Sequence, residues 1–293
     1  MKVTNKYNLP EAYLRVVSND DYTRGKADVT ASELGLPARV FALKRKHEAD
    51  LEVDASELLP ILLGKAVHNI LEKADKENVV EERLFQEVSG WIVGGKFDNH
   101  TEFNGVLTDW KTTRVDALLA KTREGFKEWV IQMNTYAYLL KKAGKKVEAL
   151  RVIAFMVDFS PVKKRFDAEY PTVPVQIIEL PVWEDEVIER YLMAQVETFK
   201  SAIDFLPECN DMDRWTRGGQ TAVMKEGRKR AVKLFDNEPE AKAWLAVQND
   251  APNLYLHNRP KEYIRCQFYC PVSEFCEQWK NDQLTIVKEQ VNE

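Results

Sequence analysis

Two short runs rich in Val, Ile, Leu, Trp and Phe, residues 84–98 and 106–111, flank a turn-like stretch at 99–104. Two such runs so close together read as a β-hairpin, with Gly90, Gly94 and Gly95 breaking the first strand. The hairpin needs apolar layers to cover it, and the flanking sequence supplies them. Upstream, Leu58, Leu59, Ile61, Leu62, Val67, Ile70 and Leu71 recur at helical spacing. They predict a helix over 56–76, capped by Asp54 or Ser56, with Pro60 in its first turn. Downstream, the pattern predicts a long helix over 115–143 ended by Gly144, then strands over 150–159 and 173–180. A further helix over 183–205 would turn Val187, Tyr191, Ala194, Val196 and Phe199 inward. The order helix, hairpin, helix, strand, strand, helix is that of an α/β core with a small mixed sheet.

The organisation expected is an N-terminal segment, 1–55, packed on a core, 56–205, followed by a C-terminal helical subdomain, 206–293. Two short helices are expected near 221–235 and 238–248. Seven Trp, ten Tyr and thirteen Phe with 44% hydrophobic residues exclude a disordered chain. No stretch reaches the roughly 18 apolar residues of a spanning helix, and no apolar signal core follows Met1, so a cytoplasmic protein without membrane contact is expected. The charge balance, 42 Lys+Arg against 47 Asp+Glu for a net −5, gives no general attraction to nucleic acid. Any such binding has to be local.

Chemistry concentrates at the hairpin. Asp98 closes the first run in Gly-Gly-Lys-Phe-Asp, and the second carries Asp109-Trp110-Lys111. Strand alternation puts Asp109 and Lys111 on one face and Trp110 on the other, and hairpin pairing brings Asp98 alongside Asp109. Two carboxylates and an ammonium on one sheet edge are expected to stay wet. They suit a hard divalent cation, Mg2+ or Mn2+, with Lys111 orienting a water and offsetting charge on a phosphate. The competing reading is a solvated ion pair worth about 0–1 kcal/mol. Two further pairs stand at helical i, i+4 spacing. Gly64 and His68 share the first helix, where the glycine permits close approach of another element. Gln132 and Tyr136 share the second, with Trp129 on the same side; an amide and a phenol there could grip a base or phosphate, or simply top up the core.

The ordered set Gly64…His68, Gly95…Asp98, Asp109-Trp110-Lys111 and Gln132…Tyr136 resembles the RecB-like branch of the PD-(D/E)XK nuclease superfamily. The likeness covers about residues 56–157. It implies a restriction-endonuclease-like core and metal-dependent hydrolysis of DNA. By the resemblance Asp98, Asp109, the Trp110 carbonyl and His68 would hold the metal. Lys111 would position the attacking water, and Gln132 and Tyr136 would contact the strand near the scissile phosphate. No Pro precedes Asp98, where the superfamily's name would place one.

The four cysteines all lie in the last third: Cys209, then Cys266, Cys270 and Cys276 within eleven residues. With no export signal they argue against a disulfide scaffold. Four thiolates suit Zn2+ or an iron–sulfur cluster; four buried free thiols are the plainer alternative. The CRISPR-associated and AddB-type members of the resembled branch carry a four-cysteine [4Fe-4S] site, which tips the balance toward a cluster. There one cysteine precedes the nuclease core, whereas here all four follow it, so zinc stays open. His257 is a candidate substitute ligand.

The basic runs are Lys141-Lys142 with Lys145-Lys146, Lys163-Lys164-Arg165, and Arg228-Lys229-Arg230. The last lies near Trp215, and cations beside an aromatic residue suit a single-strand groove. Together these readings imply a DNA exonuclease acting on single strands or ends in repair, recombination or replication. It could be phage-encoded, working in the host cytoplasm beside a helicase or recombinase. The alternatives are a catalytically inactive DNA-binding or assembly module on the same fold, and a zinc-stabilised structural protein.

Overall fold

In the computed structural model, which describes residues 2–19, 23–75, 78–80, 82–248 and 251–291, Ser89 and Gly90 both hold positive φ, 48° and 73°. Two such residues in succession close a tight hairpin. The run over 84–98, expected as one strand, is therefore itself a hairpin, Arg83–Val88 against Trp91–Lys96. The stretch expected as a turn over 99–104 begins with a strand, Asn99–Thr101, and turns only at 102–105.

The chain divides into two units, Met1–Leu206 and Pro207–Glu293. The first unit runs β1 (Lys2–Thr4), α1 (Glu11–Ser18), β2 (Val29–Thr30), α2 (Ala38–Lys46), β3 (Glu52–Asp54), α3 (Leu59–Ala74), β4 (Val79–Val80), β5 (Arg83–Val88) and β6 (Trp91–Lys96). It continues β7 (Asn99–Thr101), β8 (Val106–Thr113), α4 (Val115–Arg123), α5 (Lys127–Lys142), β9 (Ala149–Met156), α6 (Pro161–Phe166), β10 (Val175–Leu180) and α7 (Asp185–Asp204). Among the described residues the central sheet has the order β10-β9-β8-β7-β4, with β8 and β9 parallel and the other pairs antiparallel. A second sheet, β2-β6-β5, takes β2 from the N-terminal segment, parallel to β6. This is an α/β fold of small mixed sheets flanked by helices.

Helix α5 is the hub, because both of its sides are apolar. Trp129, Val130, Met133, Tyr136, Ala137 and Leu140 pack on Leu107, Leu150, Val152 and Ala154 of the central sheet. Ile131, Tyr138 and Leu139 pack on Ile188, Leu192, Val196 and Phe199 of α7 and on Val93 of β6. A helix apolar all round belongs inside a domain, and this one lies between two layers. Asn134 survives there by donating to the Val130 and Pro181 carbonyls and accepting from the Trp183 amide.

In the first unit three expected helices differ. The stretch 115–143 is two helices, because Gly125 and Phe126 both hold positive φ, 67° and 55°. In α7 the inward residues are Ile188, Leu192, Val196, Phe199 and Ala202, and Val187 and Ala194 face out. The first helix starts at Leu59, after a short 3-10 turn over Ala55–Leu58 whose Ser56 amide donates to Asp54. Asp54 also accepts from Lys6 and Thr4, and these bonds hold its carboxyl well below the usual range.

The second unit holds β11 (Thr216–Arg217), β12 (Gln220–Lys225), β13 (Lys233–Phe235), α8 (Glu238–Ala246), β14 (Leu254–Arg259), β15 (Glu262–Tyr263), α9 (Ile264–Phe268) and α10 (Glu277–Val291). The helix expected near 221–235 is instead two strands of the sheet β13-β12-β14. Gly227, with φ 75°, turns the chain between them, and Ala222 and Val223 are buried at the sheet centre. Arg214 lies with its guanidinium 3.5 Å from the Tyr263 ring centre and pairs with Asp282 of α10. No helix among the described residues is long and apolar enough to cross a membrane.

Candidate active site

Asp98 lies where the chain leaves the sheet of β6 and enters the central sheet at β7. Pairing of Asn99 with Thr108 sets the register, so one step back Asp98 stands opposite Asp109. Its side chain then takes a ladder position: Asp98 Oδ2 accepts from the Trp110 amide at 2.7 Å. The other oxygen, Oδ1, lies 3.2 Å from His68 Nδ1 on α3. Three elements thus deliver their groups to one place, and strand alternation adds Lys111, whose Nζ is 2.7 Å from Asp109 Oδ2.

The pair is drier than its sequence implies. Asp109 is only 2% exposed, because β8 is the middle strand of the sheet and not its edge. Asp109 Oδ2, although 2.7 Å from the ammonium, makes no hydrogen bond of acceptable geometry. Charge attraction is the larger part of what holds the two together. Burial pushes the Asp109 carboxyl up to about 6; Lys111 opposes the rise and Asp98 adds to it. Burial would lower the Lys111 ammonium, but Asp109 beside it and Asp98 beyond raise it above the ordinary lysine value. His68 follows the same logic: burial disfavours its charge, yet the hydrogen bond to Asp98 and the nearby carboxylates leave its pKa raised.

Gln132 and Tyr136 meet as well. Gln132 Nε2 donates to the Tyr136 hydroxyl at 2.8 Å. The Tyr136 ring is buried in the core, whereas Gln132 is half-buried. The ring reaches so close to β6 that a Cβ on Gly95 would sit 2.7 Å from it. Gly95, expected to break the strand, lies inside β6 instead; a glycine inside a strand pattern is the signal of such close approach. Gly64 is less constrained: a Cβ there would meet only Thr112 Oγ1, at an ordinary 3.5 Å.

Two carboxylates, an imidazole and a backbone carbonyl are donors of the kind a hard divalent cation takes. Asp109 Oδ2, buried and short of a hydrogen bond, is the atom an ion would complete. As placed, the side chains are paired with each other. Among the described residues no group of three or more His, Cys, Asp and Glu is arranged to hold a metal ion. The fit is one of donor chemistry.

In the second unit Cys209, Cys266 and Cys270 are half-buried and Cys276 is buried. Burial pushes the Cys270 thiol up, and Cys266 and Cys276 nearby push the same way. Cys209 joins them through its backbone, which exchanges two hydrogen bonds with the Gln278 side chain, just past Cys276. Here too the four sulfurs are not gathered around one point. His257 lies exposed on β14, opposite Ala222. Of the basic runs, the first is taken up by ion pairs of Lys141, Lys142, Lys145 and Lys146 with Asp185, Glu189, Glu102 and Glu148. Arg228, Lys229 and Arg230 are exposed between β12 and β13.

No family model and no curated protein sequence matches the chain. Among solved structures it is similar to SSO0001 at 15% identity, covering 63% of this chain and 81% of that one, with a TM-score of 0.42. It is also similar to the alkaline exonuclease LHK-Exo from Laribacter hongkongensis, at 18% identity over 60% of this chain and 90% of that one, TM-score 0.33. A phage-related exonuclease from Haemophilus somnus gives 16% identity over 61% and 96%, TM-score 0.34. At this distance the site stands on the chain's own side chains.

Proposed function

We propose that this chain is a divalent-metal-dependent nuclease hydrolysing DNA phosphodiester bonds, as an exonuclease on single strands or ends. The observation that carries the reading is the pair of buried Asp109 and half-buried Lys111, with Asp98 and His68 brought to its rim from other elements. A buried ion pair adds little to stability, and perturbed groups that cluster in this way mark functional sites. In this reading Asp98 and Asp109 hold Mg2+ or Mn2+, with the Trp110 carbonyl and His68 as further ligands. The ion supplies Lewis acidity at a phosphoryl oxygen and a water of lowered pKa.

The protein's own groups do the rest. Lys111, held protonated by its carboxylates, cannot act as a base near neutrality. It orients a water through its N–H groups and offsets charge that develops on the phosphate. Gln132, steered by the Tyr136 hydroxyl, contacts the strand near the scissile bond. When metallated, the four cysteines would hold an iron–sulfur cluster in preference to zinc, which would tie the second unit's segments together. A helicase, recombinase or other replication or repair protein would be the working partner.

The test is digestion of end-labelled single- and double-stranded DNA with Mg2+ or Mn2+, beside Asp109→Ala and Lys111→Ala. Wild type should shorten the label, with both variants slower by about 10²–10⁴-fold. Variants as active as wild type would end the catalytic assignment. Binding without cutting by the wild type would favour the inactive DNA-binding module.

A further inference from the structure

Phe268 and Tyr269 are adjacent in the chain, lie between Cys266 and Cys270, and are 64% and 66% exposed. A scattered exposed apolar residue needs no explanation, but a group of aromatic rings left uncovered does. These two belong to a group. The Tyr269 ring centre is 5.5 Å from that of Trp215 and 6.3 Å from that of Phe268, at interplanar angles of 56° and 67°. The Arg265 guanidinium stands 5.1 Å from the Trp215 ring centre. The rings are tilted and not stacked face to face; Trp215 is half-buried, so the open ring surface belongs mainly to Phe268 and Tyr269.

The charge of the patch selects the partner. Arg265 has no carboxylate partner among the described residues; its Nη1 reaches only the Asp213 carbonyl, at 3.5 Å. Arg228, Lys229 and Arg230, exposed in the same unit, also lack a carboxylate partner among the described residues. An apolar protein surface would cover the rings and leave Arg265 without an anion. A single nucleic-acid strand supplies both bases for the rings and phosphates for the guanidinium.

We infer that Trp215, Arg265, Phe268 and Tyr269 form a stacking surface for unpaired bases of a single strand. The inference rests on the nuclease reading and deepens it, by giving the chain a second contact with the strand outside the carboxylate cluster.

The test uses the full-length protein in metal-free buffer, with a fluorescein-labelled oligo-dT of about ten nucleotides and an abasic strand of the same length and charge. Wild type should bind oligo-dT more tightly than the abasic strand. Phe268→Ala/Tyr269→Ala should weaken oligo-dT binding about 10- to 100-fold and leave the abasic strand unchanged. Phe268→Tyr/Tyr269→Phe, which keeps both rings, should bind as wild type, and Phe268→Ala alone serves if the double variant melts early. Unchanged oligo-dT binding, an equal loss on both strands, or loss of self-association with binding intact would each overturn the inference. The two readings fail separately. Ring-dependent binding without cleavage would spare this surface and sink the nuclease, whereas cleavage with ring-independent binding would do the reverse.

Discussion

Asp109 is the residue on which the chemistry turns, because its burial and its charge are in conflict. A folded-state pKa of about 6 lies above the ordinary carboxylate value of about 3.9. The folded protein therefore holds that proton more tightly than the unfolded chain. The resulting stability is complete below about pH 4 and is lost as pH rises through 6. Ion uptake runs the opposite way, since the carboxylate has to lose its proton first. Calorimetric titration should find Mn2+ bound about tenfold more weakly at pH 5 than at pH 7.5, and hardly at all by Asp109→Asn. Affinity that ignores pH, or survives in Asp109→Asn, would show that the ion sits elsewhere. The alternation of Asp109 and Lys111 was legible in the sequence because the strand period is fixed. Their dryness was not, because it depends on which strand becomes the middle of the sheet.

Helix α5 and strand β6 meet at Gly95, and the contact explains a glycine that spacing alone does not. Gly95→Ala would drive a methyl against the Tyr136 ring at 2.7 Å, and should cost about 1–3 kcal/mol in denaturant unfolding as well as disturbing Gln132. Gly64→Ala is the control. Its methyl meets only Thr112 at 3.5 Å, so it should be neutral or stabilise α3 by up to about 1 kcal/mol. Equal effects at the two positions would contradict the packing described. Helix α3 was readable because its apolar spacing is local. The strands β12 and β13 were not, since Ala222, Val223 and Leu234 also fit a helical pattern, and pairing of β12 with distant β14 decides the matter. The breaks at Ser89-Gly90 and Gly125-Phe126 carried a glycine signal, but it was too weak to set strand or helix ends by itself.

At the scale of the molecule, each unit poses its own metal question. If the cysteines hold a cluster, anaerobic protein should be coloured, and Cys→Ser at Cys209, Cys266, Cys270 or Cys276 should give colourless or insoluble protein. Wild-type solubility, metal content and colour in all four variants would leave them as free thiols. The motif order of the first unit was visible in the sequence because four short patterns fall on successive elements. What brings Cys209 toward the other three cysteines of the second unit was not, because Cys209 stands far before Cys266 in the chain and its two backbone hydrogen bonds to Gln278 form only in the fold. The nuclease reading stands or falls on Asp98, the carboxylate that bridges His68 and the β8 backbone. Wild type and Asp98→Ala should be given end-labelled single-stranded DNA with Mn2+, side by side. The reading predicts progressive shortening by the wild type and none by Asp98→Ala. Undiminished digestion by Asp98→Ala, or no digestion by the wild type with either Mg2+ or Mn2+, would contradict it.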